Sequence, residues 1–226
     1  MKLTTLAIAL CIAGTCIAGP SFKLDFPEKK FAPEAKSKAM ITKAVITDEN
    51  FVAGPDGKFA FVLTDKNAEN KKVPAYSAAG NFPFAAGSAE LTFKVLKRKP
   101  KTLVRMLHVF SPSKDEPKDV LIYYMYIDVA GNANIGIQIG KKQVAVVVPG
   151  NIMKADAFNT AKMTWNDKIL TVTMNGEKVG EKVMDANFTA IVAKKRGWSS
   201  MFIAPVFGGV NEDWSNRVAI SAIDIK

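Results

Sequence analysis

Apolar and polar residues alternate with a period of two over several short stretches of the chain, and each stretch ends in residues that favour turns. In residues 164–180, TWNDKILTVTMNGEKVG, Leu170, Val172 and Met174 alternate with Thr171 and Thr173. That is the pattern of a strand with one buried face. Asn175-Gly176 follows at once. Both central positions of a type I′ hairpin need positive φ, which Asn and Gly tolerate best, so the chain is expected to reverse into a strand over 177–183. Upstream, Asn166-Asp167-Lys168 separates this strand from residues 160–165, where Ala161, Met163 and Trp165 share a face and Trp165 is expected in the core. A meander of such short strands predicts an all-β domain.

Similar stretches recur along the chain. Residues 22–26 (FKLDF) alternate as a first strand, and Gly54-Pro55-Asp56-Gly57 predicts a turn into a strand at 59–63. A charged loop over 65–72 and a Gly/Pro/Phe loop over 80–87 precede a strand at 89–96. Further strands are expected at 103–110, 120–129, 135–139 and 144–148, with a basic knot, KRKPK, at 97–101 and a proline-bounded loop at 111–118. Residues 32–43, rich in Ala and Lys, are a candidate short helix that Pro33 weakens. Residues 185–214 read as loops apart from a strand at 201–207, and residues 217–226 as the closing strand. No repeat or linker interrupts residues 19–226, which predict one domain.

The first 18 residues differ in kind. Lys2, a short apolar run, and small residues at Cys16 and Ala18 ahead of Gly19 predict an export signal. The run is shorter than the roughly 18 residues of a membrane span, so no transmembrane segment is expected. Thr15 fits poorly before a lipidated Cys16, which favours free export to the cell envelope, the periplasm or the medium. Both cysteines, Cys11 and Cys16, lie in this segment. A mature chain would then have neither disulfides nor thiolate chemistry, and its core alone would hold it together. The formal charge of +10 becomes +9 without Lys2, a balance that suits anionic partners such as acidic polysaccharides. Scattered basic residues without a recognition motif argue against nucleic acid.

The order of these features carries a resemblance. GPDGKFAFVL (54–63), GNFPFAAGSAELTFKV (80–95), LVRMLHVF (103–110), AKMTWNDKILTVTMNGEKVGE (161–181) and VAISAIDIK (218–226) follow one another. Together they resemble the laminin-G-like members of the concanavalin A-like lectin/glucanase superfamily, in which a Trp-Asp turn, an Asn-Gly-Glu hairpin and an acidic closing strand recur. The resemblance implies a jelly-roll β-sandwich of two antiparallel sheets, often a carbohydrate- or protein-binding module and sometimes a hydrolase. The chain departs from the family at DAFNT (156–160), which lacks the usual Trp.

Candidate chemistry is sparse. A retaining glycosidase needs carboxyl groups roughly 5–5.5 Å apart, which acids two apart on one strand supply at about 6.5–7 Å of rise. No expected strand contains such a pair. Glu177 and Glu181 share a face but stand about 13 Å apart by the same rise. Asp48-Glu49, Asp115-Glu116 and Glu212-Asp213 are sequence neighbours in loops. The only histidine, His108, alternates with Met106 and Phe110 and reads as a packed or edge residue. No cofactor is expected, although Asp115, Glu116 and Asp119 are candidate calcium ligands with loop carbonyls. A solvated acidic loop is the favoured reading of the same residues.

The strand at 120–129 offers a binding surface instead. Leu121, Tyr123, Met125, Ile127 and Val129 form one apolar face, which leaves Tyr124 and Tyr126 on the other. In the next strand Ile135, Ile137 and Ile139 must join the core, so Gly136, Gln138 and Gly140 are expected beside the tyrosines with little to cover them. The same sorting sends Lys162 and Thr164, and Thr171 and Thr173, outward. If these strands are neighbours, tyrosine rings and polar groups share a surface suited to sugars. Trp198 and Trp214, in loops, are candidate platforms. The expectation is an exported, non-enzymatic module that binds glycan or anionic polysaccharide. The alternatives are an envelope or adhesion protein meeting acidic polymers through lysines, and a hydrolase with an unrecognised site.

Overall fold

The structure is a computed structural model that describes residues 19–42, 44–64, 67, 72–96, 102–116, 118–205 and 217–226. Residues 1–18, expected to be an export signal, the 97–101 knot, Glu212-Asp213 and Trp214 lie outside these residues.

Antiparallel strands form two sheets packed face to face. Among the described residues one sheet holds nine strands: β1 (Phe22–Asp25), β2 (Glu34–Ala35), β3 (Phe51–Ala53), β4 (Phe59–Phe61), β6 (Gly87–Val95), β11 (Asn159–Trp165), β12 (Ile169–Met174), β13 (Glu177–Val183) and β15 (Val218–Ile225). Its main path runs β13-β12-β11-β6-β15-β1-β2, with β4 on β15 and β3 on β4. The other holds β5 (Ala75–Ser77), β7 (Val104–Pro112), β8 (Val120–Ile127), β9 (Ala133–Ile139), β10 (Lys142–Val148) and β14 (Ser200–Ile203) in the order β10-β9-β8-β7-β14-β5. The first and last strands pair, with Phe22 opposite Ile225. One apolar cluster fills the space between the sheets, from Phe22, Leu91 and Trp165 on one side to Tyr123, Ile137 and Met201 on the other.

Local chemistry explains the turns. Asn175 and Gly176 take φ of 54° and 88°, as a type I′ hairpin requires. The Asn175 side chain accepts from Thr160 N and donates to Asn159 Oδ1, each at 3.0 Å. At the 54–57 turn, Asp56 and Gly57 are likewise left-handed.

Several elements depart from simple alternation. Residues 32–43 form no helix in their described part; Glu34–Ala35 pairs with β1 instead. Residues 188–193 do form one, α1 (Phe188–Ala193), which buries Phe188 alone and is too short to show a helical period. The expected strand at 201–207 is β14, which ends at Ile203. A β-bulge puts Met106 as an extra residue between Arg105 and Leu107, so Met106 and Leu107 are both fully buried. The bulge reverses parity, and His108 and Phe110 face outward without Met106. A second bulge, at Val179, separates Glu177 from Glu181 and brings Glu181 to Lys178, 2.7 Å away. Val129 lies past the end of β8 at 46% exposure and does not join the core. Among the described residues no helix is long and apolar enough to cross a membrane.

Candidate functional site

The two meanders belong to different sheets. Tyr124, Tyr126 and Gln138 stand on the outer face of the six-stranded sheet, whereas Lys162, Thr164, Thr171 and Thr173 stand on the outer face of the nine-stranded one. The single surface expected from the sequence is therefore split across opposite sides of the sandwich. Parity along a strand sorts residues between core and solvent but does not say which sheet the strand joins.

Register arranges the six-stranded face in rows. Ala145, Gly136, Tyr124, His108, Phe202 and Ala75 lie opposite one another in turn across β10, β9, β8, β7, β14 and β5. One row over, Gln143, Gln138, Ile122, Phe110, Ser200 and Ser77 follow the same path, and on the other side Val147, Asn134, Tyr126 and Arg105 align. Arg105, His108, Phe110, Ile122, Gln138, Phe202 and Trp198 line a hollow of about 470 Å³ on this face. Of the expected residues, Gln138 and Trp198 meet there. Phe110, Phe202, Arg105 and His108 were missed, because the Met106 bulge and the arrival of β14 beside β7 leave no mark in the alternation.

The tyrosines are less open than expected. Tyr124 is only 6% exposed, its ring 5.5 Å from that of Tyr126, and burial pushes its hydroxyl up to about 12. Tyr126 is half-buried, and burial also raises its pKa. Gly136 does not leave a shallow floor beside them. A Cβ there would lie 2.5 Å from Val144 O, so this glycine admits the close approach of β10. Gly140, with φ of 60°, belongs to the β9–β10 turn. The Gln138 side chain donates to Gly140 O at 2.9 Å.

Trp198 forms the wall of the hollow. It is 58% exposed, with its ring 5.2 Å from Phe110. The chain just before it is tied to the 111–119 segment. Lys114 N donates to Lys195 O at 2.8 Å, Ser113 bridges Arg196, and Arg196 Nη1 donates to Ser111 O and Asp119 O at 2.9 and 3.1 Å. Lys194 pairs with Glu116 at 2.9 Å and with Asp119. Two of the three calcium candidates thus face a lysine ammonium, and Asp115 is exposed. Hydrogen bonding to Lys194 holds the Asp119 carboxyl below its ordinary range. Among the described residues no group of three acidic, His or Cys side chains could hold a metal.

His108 is held neutral. Burial, reinforced by the Arg105 charge, lowers its pKa to about 4. Its imidazole therefore offers one donor and one acceptor at neutral pH. Arg105 and His108 each already have a partner within the protein.

The opposite face is charged with both signs. Glu90 stands across from Lys162 and from Asp224, a cross-strand pair of acids that no reading along one strand reveals. Each has a lysine: Lys162 lies 3.7 Å from Glu90 and Lys226 2.7 Å from Asp224. Hollows of about 530 and 670 Å³ on this face are larger than the one beside Trp198. Phe158 lines both, but it is the one ring there, and it stands among lysines and acids of both signs rather than beside further rings.

No protein-family model matches the chain, and no curated protein matches it. Solved structures do. A Trypanosoma rangeli sialidase in complex with 2,3-difluorosialic acid is similar with a TM-score of 0.56 and 13% identity, over 92% of this chain and 31% of that one. A structure described as a native glycosidic hydrolase reaches 0.51 at 9% identity, over 92% and 96% of the two chains. A Bacillus licheniformis beta-glucanase reaches 0.50 at 9%, over 92% and 99%. The chain thus spans about a third of that sialidase and nearly all of the glucanase. At such identities the likeness shows the fold alone. It is a jelly-roll β-sandwich of two antiparallel sheets, with nothing that singles out laminin-G.

Proposed function

We propose that the chain is an exported, non-enzymatic module that binds carbohydrate on the outer face of the six-stranded sheet. The observation that carries this reading is the hollow beside Trp198. Phe110, Phe202 and Trp198 supply rings for the C–H faces of a sugar, and Arg105, His108 and Gln138 supply groups that read hydroxyls. Neighbours named as a glucanase and a sialidase support a carbohydrate ligand in general. Binding without turnover is favoured because no carboxylate among the described residues lines this hollow, and the acids of the opposite face are engaged by lysines. Export rests on the segment before Gly19.

A glycan array followed by titration of its hits tests the reading. Because Trp198 is exposed, Trp198→Ala should fold as wild type and weaken glycan binding by about 1 kcal/mol or more, from lost ring contact. Lys162→Ala, on the far face, should leave binding unchanged. Retained affinity in Trp198→Ala would place the ligand elsewhere. Unselective binding that is lost in salt, whatever stands at position 198, would favour the lysine-mediated alternative.

A further inference from the structure

The two faces of the sandwich differ in charge. Both signs alternate across the nine-stranded face, where Lys23 stands opposite Asp224 and Lys162 opposite Glu90. On the six-stranded face, Arg105 is the one formally charged residue among the outward-facing described positions of the three rows, and the Asp128 carboxylate stands just past the end of β8, where the Asn132 and Asn134 amides donate to it. Arg105 borders the aromatic hollow, whose other polar groups, the neutral His108 imidazole and the Gln138 amide, bring no charge.

We infer that the ligand of this face is an acidic sugar whose carboxylate pairs with Arg105. The inference rests on the carbohydrate-binding reading of the hollow. A guanidinium presents parallel N–H donors that match the two oxygens of a carboxylate. Aromatic walls lower the local dielectric and strengthen that pairing relative to one in open water. Rings beside the cation give the sugar body a place to stack. A bare acidic peptide offers the carboxylate without the C–H face, so Phe110, Phe202 and Trp198 favour the glycan. Arg105 already has a partner in the protein, and the ligand carboxylate joins or exchanges with it. The protein's positive net charge draws such polymers toward the surface from any direction. Arg105 decides which of them stays.

The test titrates a uronic-acid oligosaccharide, its methyl ester, a sialylated oligosaccharide and poly-glutamate into wild type, Arg105→Gln, Arg105→Lys and Trp198→Ala, in 0.5 M salt to suppress loose attraction. Wild type should bind at least one acidic sugar about tenfold tighter than the neutral ester, the difference one charge-assisted pair supplies. The uronate and sialoside arms show which acid fits. Arg105→Gln should bring acid and ester to the same affinity, and Arg105→Lys should recover only part of the preference. Trp198→Ala should weaken acid and ester alike. Equal binding of acid and ester in wild type, still sensitive to Trp198→Ala, overturns the acidic ligand and leaves the carbohydrate site standing. Binding insensitive to Trp198→Ala, or absent for every sugar, overturns both. Poly-glutamate held as tightly as the acidic sugars overturns the choice of a glycan.

Discussion

Tyr123→Ala is expected to destabilise the protein by about 3–5 kcal/mol, as removal of a buried aromatic ring does when its surroundings cannot collapse into the cavity. Tyr123 is fully buried on the inner face of β8. Its ring lies 4.6 Å from Phe82 and 5.0 Å from Trp165, and Phe82 stacks on Trp165 at 5.2 Å. The cluster thus joins the six-stranded sheet to β11 of the other sheet. It also fixes the loop before β6, because the Tyr123 hydroxyl and Trp165 Nε1 both donate to Phe84 O. Tyr123→Phe should cost only about 1 kcal/mol, since Trp165 still satisfies that carbonyl. Tyr126→Ala, half-buried on the outer face, should cost less than Tyr123→Ala, with the more deeply covered Tyr124→Ala between them. Urea denaturation of the four variants checks the order. Equal midpoints for Tyr123→Ala and Tyr126→Ala would show that the inner cluster does not anchor the sandwich.

The same strand shows what was legible beforehand. Alternation in residues 120–129 and the isoleucines of 135–139 place Tyr123 inside and Tyr124 outside, and the observed register agrees, with Tyr124 opposite Gly136. Turn chemistry was equally readable, because Asn175-Gly176 and the 54–57 turn need backbone conformations that few other residues adopt. Three things were hidden. A bulge changes parity by one residue at Met106 or Val179 without any mark in composition. The partner of a strand is a long-range choice, so the 120–148 and 160–183 meanders look like neighbours along the chain and end on opposite sheets. Cover is also long-range: nothing in YYMY says that Tyr124 will be almost closed off. The hollow escaped for the same reasons. Its residues come from β7, β8, β9, β14 and the Trp198 loop, and the bulge is what turns His108 and Phe110 outward together.

His108 should make stability fall by about 2–3 kcal/mol between pH 7 and pH 4.5. Its pKa in the folded protein is about 4, against 6.5 for an unperturbed imidazole, because burial and then Arg105 disfavour its charged form. Between those values the unfolded chain binds a proton that the folded one does not, so stability rises with pH through this window and is lost as pH falls through it. One pKa unit is worth about 1.4 kcal/mol, which sets the size of the loss. The groups around it do not titrate there. Tyr124, opposite His108 on β8, and Tyr126 both have raised pKa values, and Phe202 and Gln138 carry no charge. Carboxylates held below their ordinary range, such as Asp119, Asp128 and Glu181, lose their contribution to stability only as pH falls below about 5, where the unfolded chain begins to take up their protons. Denaturation midpoints at pH 7, 6, 5 and 4.5 should therefore decline for wild type, whereas His108→Gln, which keeps a polar group of similar reach without a titrating proton, should stay nearly level down to pH 5 and then show only the smaller carboxylate decline that both proteins share. Parallel declines in the two proteins would mean that the imidazole is solvated or paired well enough to take up its proton in the folded state.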